Sequence, residues 1–379
     1  MPELITLSNR YFVCLAGQHK TVPLDPFTYR PDMYPKFVEI DYLAGTFQAV
    51  EQSELKSLTF YVTWDVDELP TYGDDVVVIL MGDEWCRFPS YLGKVRAVFR
   101  SHANWPMYTG NLANGVTYGN IISGAQLLRL HLLGLPGRLR YLLKRFVRGY
   151  KPTKTHLIPL GYANQLALPT APLQKRVTDV SFMGSINNEL PSKRSLKYWL
   201  RSPKTAAREQ MLKNARELQK RPELNVYLQG TEQFSGNLLN SASQVEAEKI
   251  RYSEKMMDTK ICLVPRGSSL ETFRLFEAVR YGCIAICEHL PKRWYYSGLP
   301  AVQIDNWNDL ERVVDELLGD SQRLERLHQD ALRYWETRCS EAALGRYLVA
   351  QLSQANVSLK SSEKKNSFSN LRAHADREP

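Results

Sequence analysis

The chain has 379 residues, of which 44% are hydrophobic and 23% are charged, and its formal net charge is +9. This length supplies enough apolar material for two hydrophobic cores, and the charged fraction is typical of a globular protein. The basic excess predicts affinity for anionic partners. No apolar run is long enough to cross a bilayer and the first residues are polar, so we expect a cytoplasmic protein.

The first half of the chain shows strand patterns mixed with helical ones. Strands are predicted at Leu58–Thr63, Val76–Met81, Val95–Phe99 and His156–Leu160, and the continuous apolar run of the second is typical of a strand buried on both faces. This mixture predicts an N-terminal α/β domain over residues 1–170. A stretch rich in Pro, Ala and Thr at its end is expected to be a linker.

The second half alternates strands and helices more regularly, which predicts a parallel, doubly wound sheet over residues 171–355. Its polar continuation, residues 356–379, is expected to be a disordered tail. The predicted strands are Asp179–Met183, Asn225–Leu228, Lys260–Val264, Cys283–Cys287 and Ala301–Ile304. The predicted helices are Ser192–Gln219, Val245–Met257, Leu270–Tyr281, Asn306–Leu318 and Ser321–Leu352.

The loop at 265–269 joins a predicted strand to a predicted helix, a place where α/β proteins bind ligands. The free N–H groups of a helix start favour an anion there, and the spacing of Ser268 and Glu271 is that of a capping box. Gly267 permits close approach of the backbone to a ligand, and Arg266 adds a cation that can grip phosphate through two nitrogens. The pattern therefore suits a diphosphate.

Two charged residues follow within the predicted helix. Arg274 and Glu277 are neighbours by helical spacing, and the carboxylate is placed to accept hydrogen bonds from ribose hydroxyls. The same features also fit a simpler interpretation, in which a Ser/Gly turn merely opens a helix and Arg274–Glu277 is a surface ion pair. Spacing alone leaves both interpretations open.

Residues 260–286 read KICLVPRGSSLETFRLFEAVRYGCIAI. This segment closely resembles the C-terminal signature of the exostosin-like glycosyltransferases. In that family a strand and a Pro-x-Gly loop precede a serine-containing turn, an Arg-Leu-x-Glu-Ala helix and Gly-Cys-Ile-Pro. Ala285 stands here where the family usually has proline. The match covers Tyr252–Pro291, while the first half resembles the family only in short segments.

The resemblance implies a GT-B fold, in which two Rossmann-like domains face a cleft and the C-terminal domain holds a nucleotide-sugar donor. It implies that Arg266, Ser268 and Ser269 contact the diphosphate of a UDP-sugar. Glu277 would hold the ribose and Arg274 would orient it or pair with phosphate. The implied reaction inverts the anomeric carbon, needs no cofactor or metal, and moves a hexosyl or pentosyl unit to a hydroxyl of a glycan or a lipid-linked acceptor.

An inverting transfer needs a general base near the acceptor hydroxyl. Asp83 and Glu84 directly follow a predicted strand of the first domain and are the leading candidates, although an aspartate in that position also serves to cap a turn. His102 and Glu288 are further candidates for a base or for a contact with the donor sugar. Asp65–Asp67 forms a DxD sequence, which we interpret as a solvated turn rather than a metal site.

Cysteine usage also argues against a metal. None of the six cysteines forms a CxxC pair, and close Cys/His spacing is absent, so we expect small buried side chains in a reducing compartment. They are Cys14, Cys86, Cys262, Cys283, Cys287 and Cys339.

Residues 124–151 form a basic amphipathic pattern without a single acid. Such a helix can lie on an anionic membrane, which would make the protein peripheral to it, or it can bury its leucine face in a domain core. Two alternatives to an active glycosyltransferase stay open, a catalytically silent GT-B subunit and a polyanion-binding protein. We expect no nucleic-acid partner, because no nucleic-acid-binding motif accompanies the charge.

Overall fold

The computed structural model describes residues 7–15, 20–30, 33–34, 39–82, 88–102, 118–148, 153–163, 166–185, 203–231, 242–267 and 269–354. These residues form two β-sheets that are parallel except at one edge, and helices flank both sheets. The predicted α/β class with two Rossmann-like domains, the architecture of a GT-B fold, is confirmed.

The first sheet has six strands in the order β2-β1-β3-β4-β5-β6, and only the β1–β2 pairing is antiparallel. Residues 76–80 of β4 are fully buried, as the apolar run predicts for a central strand. Two helices accompany the sheet, α1 (Ile40–Glu51) and α2 (Tyr118–Arg148). The strands are β1 (Arg10–Leu15), β2 (Lys20–Pro23), β3 (Thr59–Thr63), β4 (Gly73–Leu80), β5 (Val95–Arg100) and β6 (Lys154–Leu157).

The second sheet has five parallel strands in the order β11-β10-β9-β7-β8. Its strands are β7 (Thr178–Ser185), β8 (Val226–Thr231), β9 (Thr259–Val264), β10 (Ile284–Glu288) and β11 (Val302–Ile304). Its helices are α3 (Pro203–Gln219), α4 (Ala242–Met257), α5 (Phe273–Arg280), α6 (Leu310–Gly319), α7 (Ser321–Tyr334) and α8 (341–354). The beginning of the predicted helix at 192–219 and the predicted tail lie outside the described residues.

The C-terminal helix differs from its prediction. The sequence pattern predicts one helix over Ser321–Leu352, but α7 ends at Tyr334 and a π-helical turn at Trp335–Cys339 precedes α8. Ser340 adopts an extended backbone, and its hydroxyl accepts a hydrogen bond from the amide of Ala343 at 3.2 Å. A serine that caps a new helix start explains the break.

Helix α8 returns to the first domain. Nη2 of Arg96 in β5 donates to the carbonyl of Leu352 at 3.2 Å, and the hydroxyl of Tyr162 donates to Glu341 at 2.7 Å. The ring of Tyr347 packs against the ring of Phe99. Helix α8 therefore connects the two domains.

The exposure of the leucines of α2 contradicts the interpretation that the leucine face of this helix lies in a domain core. Leu128, Leu132, Leu139 and Leu143 are exposed, and the side chain of Phe146 is 91% exposed. A helix of a compact domain usually buries such a stripe, so this face is a surface that the described residues leave uncovered.

Glycine is required at position 161, in the loop after β6, because of its backbone conformation and because a neighbouring side chain lies close to it. Its φ is +71°, and a Cβ at this position would lie 2.2 Å from Cδ1 of Tyr42. We expect Gly161→Ala to lower the free energy of unfolding by about 3 kcal/mol, because it adds left-handed strain to overpacking. Denaturant unfolding measures this loss.

Gly298 provides the matched control. It has φ +77°, but a Cβ added there would meet no other atom within 4 Å, so Gly298→Ala carries only the backbone cost, about 1 kcal/mol. Equal losses in the two variants would contradict the packing argument.

Candidate active site

The candidate site lies where strands of both domains end. The loop that follows β9 begins at Pro265, and the ends of β7 and β10 flank it because β9 pairs with both strands. In the first domain, His102 follows the end of β5 and contacts residues just before α5. Carboxyl ends of parallel strands from the two sheets therefore lie close together, and α/β folds bind ligands at such ends.

A hydrogen bond joins Arg266, just after β9, to Glu288 at the end of β10. The amide of Arg266 donates to Oε2 of Glu288 at 3.0 Å. Burial raises the pKa of Glu288 and lowers the pKa of Arg266, and the attraction between the two charges opposes both shifts. Glu288 thus supports the loop that carries Arg266, and its contact with the donor sugar stays a prediction.

Arg208 in α3 supports the same loop, and the sequence pattern did not single it out as a site residue. Its Nη1 donates to the carbonyl and the hydroxyl of Ser185 at 2.5 and 2.8 Å, and its Nε donates to the carbonyl of Arg266 at 3.3 Å. One guanidinium therefore ties the end of β7 to the loop after β9. Arg208 is one of many basic residues in a polar helix pattern, and nothing in that pattern distinguishes an inward-facing one.

Arg274 lies near the start of α5 and reaches β7. Its Nε donates to the carbonyl of Met183 at 2.7 Å, and the guanidinium carbon lies 4.6 Å from the ring centroid of Phe182. A Cβ on Gly184 would lie 1.8 Å from Nη2 of Arg274, so only glycine allows this approach. Nη1 is buried and has no hydrogen-bond partner among the described residues.

Glu277 links the two domains. One carboxylate oxygen accepts a hydrogen bond from the amide of Ala163 at 3.1 Å, and the other accepts from the hydroxyl of Tyr252 at 2.7 Å. Arg274 and Glu277 are both buried, so the interpretation of these residues as a surface ion pair is wrong.

The predicted capping box is also wrong. Helix α5 begins at Phe273 with Thr272 as its N-cap, so Glu271 precedes the helix. The carboxylate of Glu271 instead forms a buried ion pair with Arg293 and accepts a hydrogen bond from the hydroxyl of Tyr295. Arg293 reaches Glu271 only in the folded chain, and the ion pair between them takes up the carboxylate that the sequence pattern assigns to helix capping.

His102 and Ser269 connect the domains beside this ion pair. Nδ1 of His102 lies 3.0 Å from the hydroxyl of Ser269, and the amide of His102 donates to Glu271 at 3.0 Å. Burial, assisted by the nearby charge of Arg293, lowers the pKa of His102 to about 3. The imidazole is therefore neutral near pH 7 and poorly matched to take up a proton there, which argues against His102 as the general base.

Three of the predicted site residues, Asp83, Glu84 and Ser268, lie outside the described residues. In the DxD sequence, a carboxylate oxygen of Asp65 accepts a hydrogen bond from the amide of Asp67 at 2.7 Å, which forms a local turn. Among the residues that the structure describes, no group of three or more His, Cys, Asp or Glu side chains could hold a metal ion.

Comparison with known proteins finds sequence similarity over part of the chain. Exostosin-1 of Bos taurus is 35% identical over 89 residues, which are 23% of this chain and 11% of that protein. The resemblance is to exostosin-1. An exostosin-1 homologue of Caenorhabditis elegans is 34% identical over 71 residues, 19% of this chain and 17% of that protein. The predicted exostosin-like resemblance is thereby confirmed, over well under two thirds of the relatives' length.

No family model matches the chain. Among solved structures, an alpha-glucosyltransferase in complex with UDP aligns over 84% of this chain and 97% of its own, with 8% identity and a TM-score of 0.40. No helix in the described ranges combines the length and apolar character needed to cross a membrane.

Proposed function

We propose that the chain is a glycosyltransferase that takes a UDP-sugar in its second domain and transfers the sugar to a hydroxyl of a glycan or lipid-linked acceptor. The observation that carries the proposal is the convergence of Arg266, Arg274 and Arg208 on the ends of β7 and β9. Guanidinium groups at the carboxyl ends of parallel strands suit a phosphorylated ligand; Arg208 and Arg274 are buried there and Arg266 is half-buried. The similarity to exostosin-1 supports the same class of activity.

The diphosphate is assigned to Arg266, Gly267, Ser268 and Ser269, at the loop that precedes α5. Arg274 is assigned to a phosphate oxygen through its buried Nη1, since a donor left unpaired in a protein interior calls for a partner. Side chains of this kind can neutralise a leaving diphosphate without a metal ion, so we propose a metal-independent transfer. The resemblance to the exostosin-like enzymes implies inversion of the anomeric carbon by a single displacement.

Glu277 is assigned to the ribose. Its two oxygens accept hydrogen bonds from the amide of Ala163 and the hydroxyl of Tyr252, which hold the carboxylate in one orientation. We assign ribose hydroxyls as further donors to this carboxylate. Because the amide of Ala163 belongs to the first domain, such a contact would couple donor binding to the approach of the two domains.

The general base is assigned to Asp83 or Glu84, which follow Gly82 at the end of β4. Gly82 lies beside the end of β5, since its amide donates to the hydroxyl of Ser101 at 3.3 Å. The residue after Ser101 is His102, which reaches the loop before α5. Gly82, the residue before Asp83, therefore lies near the residue that contacts the loop before α5, which supports a general base supplied by this part of the sequence.

Release of UDP from UDP-sugars tests the enzyme against the silent-subunit alternative. We expect slow UDP release from one UDP-sugar by the full chain, and its loss in Arg266→Ala and in Glu277→Ala. Arg312→Ala, which changes an exposed arginine on α6, serves as the matched control and should keep the wild-type rate. Turnover that persists in both site variants would refute the assigned donor site, and no turnover with any UDP-sugar would favour a silent subunit.

A further inference from the structure

Helix α2 carries an apolar stripe on its outer side. At about 100° per residue, the exposed side chains lie within roughly a third of the helix circumference. They include Phe146, 91% exposed, and Leu143, 62% exposed. The stripe consists of Leu128, Leu132, Leu135, Leu139, Leu142, Leu143 and Phe146.

The opposite side of α2 attaches the helix to the first domain. Gly134 is buried, and a Cβ on Gly137 would lie 2.9 Å from Cβ of Phe88. The rings of Phe88 and Tyr141 are 5.2 Å apart. These three α2 positions project away from the stripe, so the apolar residues point outward because the helix is anchored by its other face.

Basic side chains border the stripe. Arg140 and Arg145 lie on either side of it by helical spacing, and exposed Lys144 lies further round. The sequence of α2 contains no aspartate or glutamate. The exposed surface therefore combines a continuous apolar band with positive charge that no acid on the helix balances.

We propose that this stripe docks the protein on an anionic lipid surface. The leucines and Phe146 would enter the boundary between head groups and acyl chains, while Arg140 and Arg145 would reach lipid phosphates. A second copy of the chain fits this surface poorly, because two such helices bring arginines together without acidic partners. The interaction is independent of the proposed sugar transfer.

Flotation of the full chain with vesicles tests the proposal. We expect the wild-type protein to float with vesicles of phosphatidylcholine and phosphatidylglycerol and much less with phosphatidylcholine alone. Arg140→Glu, Lys144→Glu and Arg145→Glu combined should weaken binding at least roughly a hundredfold, because each basic residue near an anionic surface contributes about fivefold. Added salt should weaken wild-type binding as well.

Two further variants distinguish binding through the apolar stripe from attraction that depends only on net charge. Leu139→Ser, Leu143→Ser and Phe146→Ser combined keep the net charge and should also lose vesicle binding. Arg326→Glu, Arg338→Glu and Arg346→Glu combined change three exposed arginines near the end of the chain by the same total charge and should keep binding. Circular dichroism and the thermal midpoint should show that all three variants fold as the wild type does.

Three results would overturn the proposal. One is that the wild type fails to float with anionic vesicles at low salt. Another is equal loss of binding in the control and in the helix variants, which would reduce the effect to net charge. The third is a wild-type dimer that the serine variant converts to a monomer without any vesicle binding, which would make a second copy the occupant.

Discussion

Glu271→Gln is expected to lower the free energy of unfolding by about 3 to 5 kcal/mol, because it leaves the charge of Arg293 buried without its partner. The side chains of this ion pair are only 1% and 3% exposed. Tyr295 and the amide of His102 also donate to the same carboxylate, so the substitution disturbs a network that joins the two domains. Urea unfolding gives the change directly.

The exposed pair of Arg312 and Glu316 is the control for this prediction. Its side chains are 63% and 48% exposed, so Arg312→Ala should cost less than about 1 kcal/mol. A loss in Glu271→Gln no larger than that of the surface pair would show that the buried network contributes little to stability.

Arg274→Lys is expected to weaken UDP binding roughly tenfold to a hundredfold, the usual effect of losing a hydrogen bond to a charged group. Lysine keeps the positive charge but cannot donate to the carbonyl of Met183 and to a phosphate through a planar fork. Calorimetric titration with UDP measures the affinity, and Arg312→Lys on α6 is the matched control.

Gly184→Ala tests the same arginine without changing it. The new Cβ would overlap Nη2 of Arg274, and the flexible end of that side chain can move aside while the fold persists. We therefore expect weaker UDP binding together with a modest fall of the thermal midpoint, because the φ of Gly184, +158°, is one that L side chains rarely adopt. Wild-type affinity in both Arg274→Lys and Gly184→Ala would remove Arg274 from the donor site.

The sequence was most informative where local pattern and tertiary environment agree. The apolar run of β4 and the alternation after residue 178 predicted buried parallel strands, because a strand covered by helices on both faces needs apolar residues throughout. The motif at 260–286 predicted the strand, loop and helix that carry Arg266, Arg274 and Glu277, since these elements follow one another in one short segment.

The sequence did not predict the role of a side chain whose interaction partner lies far away along the chain. Glu271 has the spacing of a capping residue, but Arg293 and His102 reach it only in the folded protein and take over its carboxylate. Arg208 looks like any basic helix residue until α3 packs beside β7. The leucines of α2 predicted a helix without indicating whether that face would be covered.

The proposed function requires a nucleoside diphosphate site in the second domain, and a thermal-shift titration tests for this site most directly. A ligand that binds only the folded chain raises the thermal midpoint by an amount that grows with the logarithm of its concentration relative to its dissociation constant. We predict that UDP and one UDP-sugar raise the midpoint of the wild type, that uridine without phosphates does not, and that Arg266→Ala abolishes the UDP effect. A thermal midpoint that no nucleoside diphosphate and no nucleotide sugar changes would contradict the proposed donor site.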